Sequence, residues 1–205
     1  AAFTAVNTGT SPVVATITVT PTFTNGAVSC AGPAKTFTIT VNPTGQVNQP
    51  GNQTLCNGAT TTLVTFGTTN TGGTTTYAWT NSATSIGLAA SGSGNIAAFT
   101  AVNTGTSPVV ATITVTPTFT NGSVSCAGPA KTFTITVNPT GQMNQPGNQT
   151  LCNGETTTLV TFSTTNTGGT TTYAWTNSAT SIGLAASGSG NIAALTAVNT
   201  GTSAV

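Results

Sequence analysis

The side chains best suited to chemistry in this 205-residue chain are its four cysteines, Cys30, Cys56, Cys126 and Cys152. Cys56 and Cys152 each sit in an LCNG turn, Cys30 and Cys126 in an SCAGP loop. A thiolate nucleophile needs a basic neighbour to lower its pKa, and the chain has no histidine and only Lys35 and Lys131 as cations. Zinc sites favour CxxC spacings or histidine, and neither occurs. What remains for the thiols is structural disulfide bonding in an oxidising compartment. Glu155 is the sole carboxylate side chain, and Ala59 stands 96 residues before it, so no acid recurs. General acid–base catalysis requires placed groups of tuned pKa, and this inventory offers no such set. No catalytic, cofactor-binding or metal-ligating residues are expected, and the chain reads as non-enzymatic. Trp79 and Trp175 fall in YAWT segments. A core position suits them, because sandwich domains bury a tryptophan; a sugar-stacking platform is the functional alternative.

Composition removes further classes. Charged residues make up 1% of the chain, against about 25% in ordinary globular domains. Two cations cannot line a phosphate track, which excludes nucleic acid as a partner. No window reaches the roughly 18–20 apolar residues of a membrane helix. Disorder is disfavoured because the apolar residues are β-branched or aromatic and fall in short ordered runs.

The positions of these residues are set by a repeat. AAFTAVNTGTSPVVATITVTPTFTNG begins at Ala1 and again at Ala97, and AALTAVNTGTSAV begins at Ala193, a period of 96 residues. The first two copies differ only at Ala27/Ser123, Val47/Met143, Ala59/Glu155 and Gly67/Ser163. The third differs at Leu195 and Ala204, which replace Phe99 and Pro108. Such near-identity presents one surface over and over, as fibres, stalks and multivalent binders do. The period is also the size of one immunoglobulin-like sandwich.

Within a copy, strands are predicted over 60–66, 75–80, 96–102, 109–116 and 131–137, with shorter candidates over 52–56 and 86–90. Ala111, Ile113 and Val115 alternate with Thr112, Thr114 and Thr116, and Phe133, Ile135 and Val137 with Thr132, Thr134 and Thr136. A period of two with threonine outside marks half-buried antiparallel strands. Regular threonine faces also admit an ice-binding surface, a weaker alternative. Asn57-Gly58, Gly72-Gly73, Asn121-Gly122 and the run Ser91–Asn95 carry turn chemistry. Pro139 blocks strand continuation and places a junction near Thr140. The frame is therefore the C-terminal half of a repeat over 1–43, a complete repeat over 44–139, and the N-terminal part of the next over 140–205, a window on a longer polymer. Asn52, Asn121 and Asn148 match the N-glycosylation pattern, as an Asn- and Thr-rich sequence does by chance.

Cysteine connectivity depends on the strand count. Four spanning strands between Cys56 and Cys126 would put both at one pole; a fifth, over 86–90, would put them at opposite poles. The pair Cys56–Cys126 is favoured because 86–90 is short, leaving Cys30 and Cys152 to partners outside the window.

The ordered series NQTLCNGATTTLVTF, TTYAWTN, SIGLAASGSGNIAAFTAVN, VVATITVTPTF and CAGPAKTFTITVNP resembles the PKD-like and immunoglobulin-like repeats of giant Bacteroidota surface proteins, which include gliding and adhesion filaments. The resemblance implies tandem antiparallel β-sandwich domains, secretion and a cell-surface location, and supplies no catalytic residues. The absence of aspartate departs from adhesin repeats that hold calcium between domains. The expected role is a structural repeat of an extracellular filament, stalk or adhesin, with neighbouring repeats or chains as partners and strands interlocked between units. A module binding surface glycans multivalently is the alternative.

Overall fold

The computed structural model describes residues 2–204. Its strands in chain order are β1 (Val13–Val19), β2 (Thr22–Asn25), β3 (Val28–Ala31), β4 (Lys35–Val41), β5 (Gln53–Cys56), β6 (Thr74–Asn81), β7 (Ser91–Ser93), β8 (Val109–Asn121), β9 (Val124–Ala127), β10 (Lys131–Asn138), β11 (Ala174–Thr176) and β12 (Ser187–Ser189). The result is an all-β protein of several small sheets. The largest has six strands in the order β5-β10-β8-β6-β7, with β9 on the far half of β8. It is antiparallel except where β5 runs parallel to β10. The pairs β1–β4, β2–β3 and β11–β12 form separate two-stranded sheets.

Alternation in the sequence becomes alternation of burial. Ala111, Ile113, Val115, Phe133, Ile135 and Val137 point into the core, and the threonines between them point out. The core also takes Val64, Phe66, Ile96 and Ala101 from the segments 60–66 and 96–101. These two segments meet at only two isolated antiparallel bridges, Thr60↔Thr100 and Val64↔Ile96. The predicted strands there are interrupted because side chains take over backbone bonds. Gln53 receives the Thr62 N–H at 2.9 Å and donates to the Thr62 carbonyl at 3.1 Å. The Thr61 hydroxyl receives the Phe99 N–H at 3.0 Å, and Asn95 receives that of Phe66 at 2.9 Å.

Strand β8 runs past the predicted end at Thr116 and through Pro117. Proline normally breaks a central ladder because it lacks the N–H. Here it falls in a gap between partners: β10 covers β8 up to Val115, and β9 begins at Thr118. The Pro117 carbonyl still accepts from Gly128 N at 2.9 Å.

The short candidate over 86–90 is not a strand. Asn81 is buried, donates to the carbonyls of Ala83, Leu88 and Ala89 at 3.2, 3.0 and 3.3 Å, and receives Ala83 N at 3.0 Å. This coils the chain into a 3-10 turn over Thr84–Ile86, closed by Gly87 at φ 92°. Ser91–Ser93, expected to be a linking turn, supplies the strand instead.

That strand count corrects the disulfide expectation. All four cysteines are free thiols, and the bond between Cys56 and Cys126 is not formed. Five passes separate them, the short β7 making one of the reversals. Cys56 lies level with Asn138, beside the Val109 end of β8, whereas Cys126 pairs with Phe119. Ten residues of strand separate those levels, about 33 Å, and a disulfide spans roughly 4.4–6.8 Å between Cα atoms. Cys30 in β3 and Cys152 are likewise unpaired and exposed.

Candidate functional site

Among the described residues no titratable cluster forms, and the most elaborate polar arrangement joins the segment after β4 and the loop before β1 to the loop before β6. Asn70, in the TTNTGG loop before β6, is its hub. The Asn70 carboxamide oxygen accepts from Gln46 N at 2.7 Å and from the Thr68 and Thr75 hydroxyls at 3.0 and 3.4 Å. Its nitrogen donates to the carbonyls of Thr10 and Thr44 at 3.4 and 3.2 Å. Beside it, Thr71 N donates to the Thr10 carbonyl at 2.9 Å, and the Thr69 hydroxyl bonds Gln46. One side chain thus ties the incoming linker, its own loop and the loop before β1 together. The side chain is half-buried, and both its oxygen and its nitrogen are engaged by protein partners.

Most of the set recurs 96 residues on, without the bond from the hydroxyl equivalent to that of Thr75. Asn166 receives Gln142 N at 2.6 Å and the Thr164 hydroxyl at 3.1 Å, and donates to the Thr106 and Thr140 carbonyls at 3.3 and 3.1 Å. Thr167 N reaches the Thr106 carbonyl at 2.8 Å. Pro12 packs on Gly72 as Pro108 packs on Gly168. A second asparagine holds the loop that makes these contacts: buried Asn103 donates to Ser107 O at 2.9 Å and Val137 O at 2.7 Å, and Asn7 makes the matching bonds to Ser11 and Val41.

Around Asn70 the junction is also packed. Pro43, Gly45 and Val47 are buried and alternate with exposed or half-buried neighbours. Gly45 N donates to Cys126 O at 3.1 Å, and a Cβ on Gly45 would lie 2.7 Å from the Pro117 carbonyl carbon. Phe119 lies over Gly73, and Asn121 donates to Asn42 at 3.0 Å. All strand ladders nevertheless stay within 13–41, 53–138 or 174–189. The expected donation of a strand across a junction is therefore not found among the described residues; loops and linkers make the join.

The other residues singled out by the sequence lie away from this hub. Trp79 is buried, with its ring against Gly92 of β7 and its indole N–H without a partner. Trp175 repeats this over Gly188 but is half-buried. Glu155 accepts from Cys152 N at 2.7 Å and closes its own turn. Lys35 and Lys131 occupy the first positions of β4 and β10. Tyr77 packs at 5.5 Å from Phe66; burial pushes its hydroxyl pKa above the ordinary tyrosine value, opposed by a hydrogen bond to Thr68. No three His, Cys, Asp or Glu side chains come together among the described residues. No described helix is long and apolar enough to cross a membrane. The asparagine hubs were not picked out from sequence, although their signal was present: TTNTGG returns at a spacing of 96.

The chain matches no protein-family model, and no curated protein sequence matches it.

Proposed function

We propose that this chain is a structural segment of a long extracellular filament, stalk or adhesin, built from tandem immunoglobulin-like (PKD-like) sandwiches and acting mechanically. The observation that carries the reading is the asparagine hub, whose bonds to the linker and to the preceding loop occur at Asn70 and again 96 residues on at Asn166. A junction encoded in the repeat orients each unit on the next in the same way, so an array propagates as a stiff thread. The sandwich reading is supported by the core shared between the six-stranded sheet and the bridged segments 60–66 and 96–101. Surface location and secretion rest on the resemblance of the motif series, since free thiols carry no compartment information. The side-chain inventory supports a non-catalytic role, and the outward threonines serve as the polar face that charge supplies elsewhere.

Stretching single molecules of a tandem array by force spectroscopy tests the proposal. Evenly spaced unfolding peaks are expected, each releasing about 30 nm of chain, the extended length of 96 residues less the folded span. A featureless extension curve overturns it.

A further inference from the structure

The first and last strands of the unit 44–139, β5 and β10, lie side by side and run in the same direction. They make the one parallel pair among the described residues, in register from Ile135↔Gln53 to Asn138↔Cys56. Bonds outside the ladder lengthen the contact at both ends. Gln49 Nε2 donates to the Thr132 carbonyl at 2.7 Å, and Asn52 Oδ1 receives the Thr134 N–H at 2.9 Å. Beyond Cys56, the Asn57 N–H reaches the Asn138 carbonyl at 2.8 Å. Residues 49–57 are thus fastened along the edge of β10 from Thr132 to Asn138.

Parallel pairing of the two terminal strands fixes how tension acts on the unit. The chain enters at the end of the sheet where Cys126 pairs with Phe119, since Gly45 N bonds Cys126 O. It leaves after Asn138 at the opposite end, level with Cys56. A pull on the two linkers therefore draws β5 one way and β10 the other, along the strand axis. In that geometry all the rungs share the load and fail nearly together, whereas a hairpin pulled at its open end parts one rung at a time. The bonds of Gly45, Gln46 and Asn48 come earlier on the path, but they go to β9 and to Asn70 and Gly67 of one loop, and form no ladder. On its other side β10 is held to β8 by the longer register Lys131↔Val115 to Val137↔Val109. Under tension β5 is the strand that yields.

We propose that β5, together with the side chains of Gln49 and Asn52, is the force-bearing clamp of the repeat. The inference rests on the mechanical role proposed above and names the element that carries the load. Four residues of ladder make a short clamp, and the two carboxamides extend it over a stretch of β10 that β5 does not reach. Both side chains are exposed, so water replaces their bonds readily at equilibrium and they contribute little to folding stability. Their effect is kinetic. Forced unfolding follows the height of the barrier, not the equilibrium free energy, and these bonds must break before β5 can slide.

Holding the full 205-residue chain by its two ends at constant force, and timing the release of residues 44–139, tests this. Gln49→Ala and Asn52→Ala should each speed that release by about twofold to tenfold, the factor given by one hydrogen bond lost from the barrier. Asn52→Asp keeps an acceptor for the Thr134 N–H and should restore the unaltered rate. The urea midpoints of these three variants should move little. Gly92→Ala should show the opposite pattern. It disturbs the β6–β7 edge, which is still folded when the clamp breaks, so its urea midpoint falls while its rate under force stays within about twofold. Release times indifferent to both Gln49 and Asn52, or altered by Asn70→Ala alone, overturn the clamp and leave the mechanical role standing. A chain that extends with no step at all overturns that role, and the clamp with it.

Discussion

Gly92 shows how much one absent side chain can decide. Its neighbours in SGSGN read as a turn, but the residue lies in β7 because the Trp79 ring covers the sheet at that point, and any Cβ would overlap the indole. Gly92→Ala is therefore expected to cost about 1–3 kcal/mol or more, the range for forcing extra volume into a packed site. Gly51→Ala, with open space around it and ordinary backbone, should shift the unfolding midpoint little. Urea titration followed by circular dichroism separates the two. At single positions the sequence was only partly legible. The inward alternation of β8 and β10 was readable because threonine and the branched aliphatics sort cleanly by face. The roles of Asn70, Asn81, Asn103 and Gln53 were not, since a carboxamide looks the same whether it meets water or organises a loop. Only the tertiary positions of the carbonyls it serves distinguish the cases.

Two elements of identical sequence offer a control that few proteins provide. The segment TFTN forms the exposed β2 in one copy and the end of the long β8 in the other. Local propensity is the same, so the difference in burial is tertiary. Phe119→Ala should destabilise the chain by about 3–5 kcal/mol, the usual cost of emptying a buried aromatic site. Phe23→Ala in this 205-residue chain should fall within about 0.5 kcal/mol, as exposed substitutions do. Equal effects at the two positions would show that the N-terminal segment is also packed. The strand predictions failed for related reasons. Extension of β8 through Pro117 was hidden because a proline reads locally as a stop, and only the handover from β10 to β9 makes its missing N–H harmless. The disulfide expectation failed with the segment 86–90. That segment is too short to span, but β7 supplies the reversal, and the two thiols lie at opposite poles.

For the whole chain, the scarcity of charge has a consequence for stability. There is no histidine, the side chain whose ordinary pKa lies between about 5 and 8. The group with a clear shift is Tyr77, raised by burial and partly restored by Thr68. A raised pKa means the folded state holds the phenolic proton more tightly than the unfolded one. The stabilisation is therefore fully present below the unfolded value of about 10 and is lost as pH rises from there through the folded pKa. Unfolding free energy, measured by urea titration at successive pH values, should thus decline above about pH 10, modestly because the half-exposed hydroxyl is screened by solvent. Tyr77→Phe keeps the ring against Phe66 and removes the ionisable hydroxyl, so its curve should lack that component. If the two proteins lose stability in parallel above pH 10, the loss belongs to other groups, and Tyr77 is not the site at which alkali opens the core.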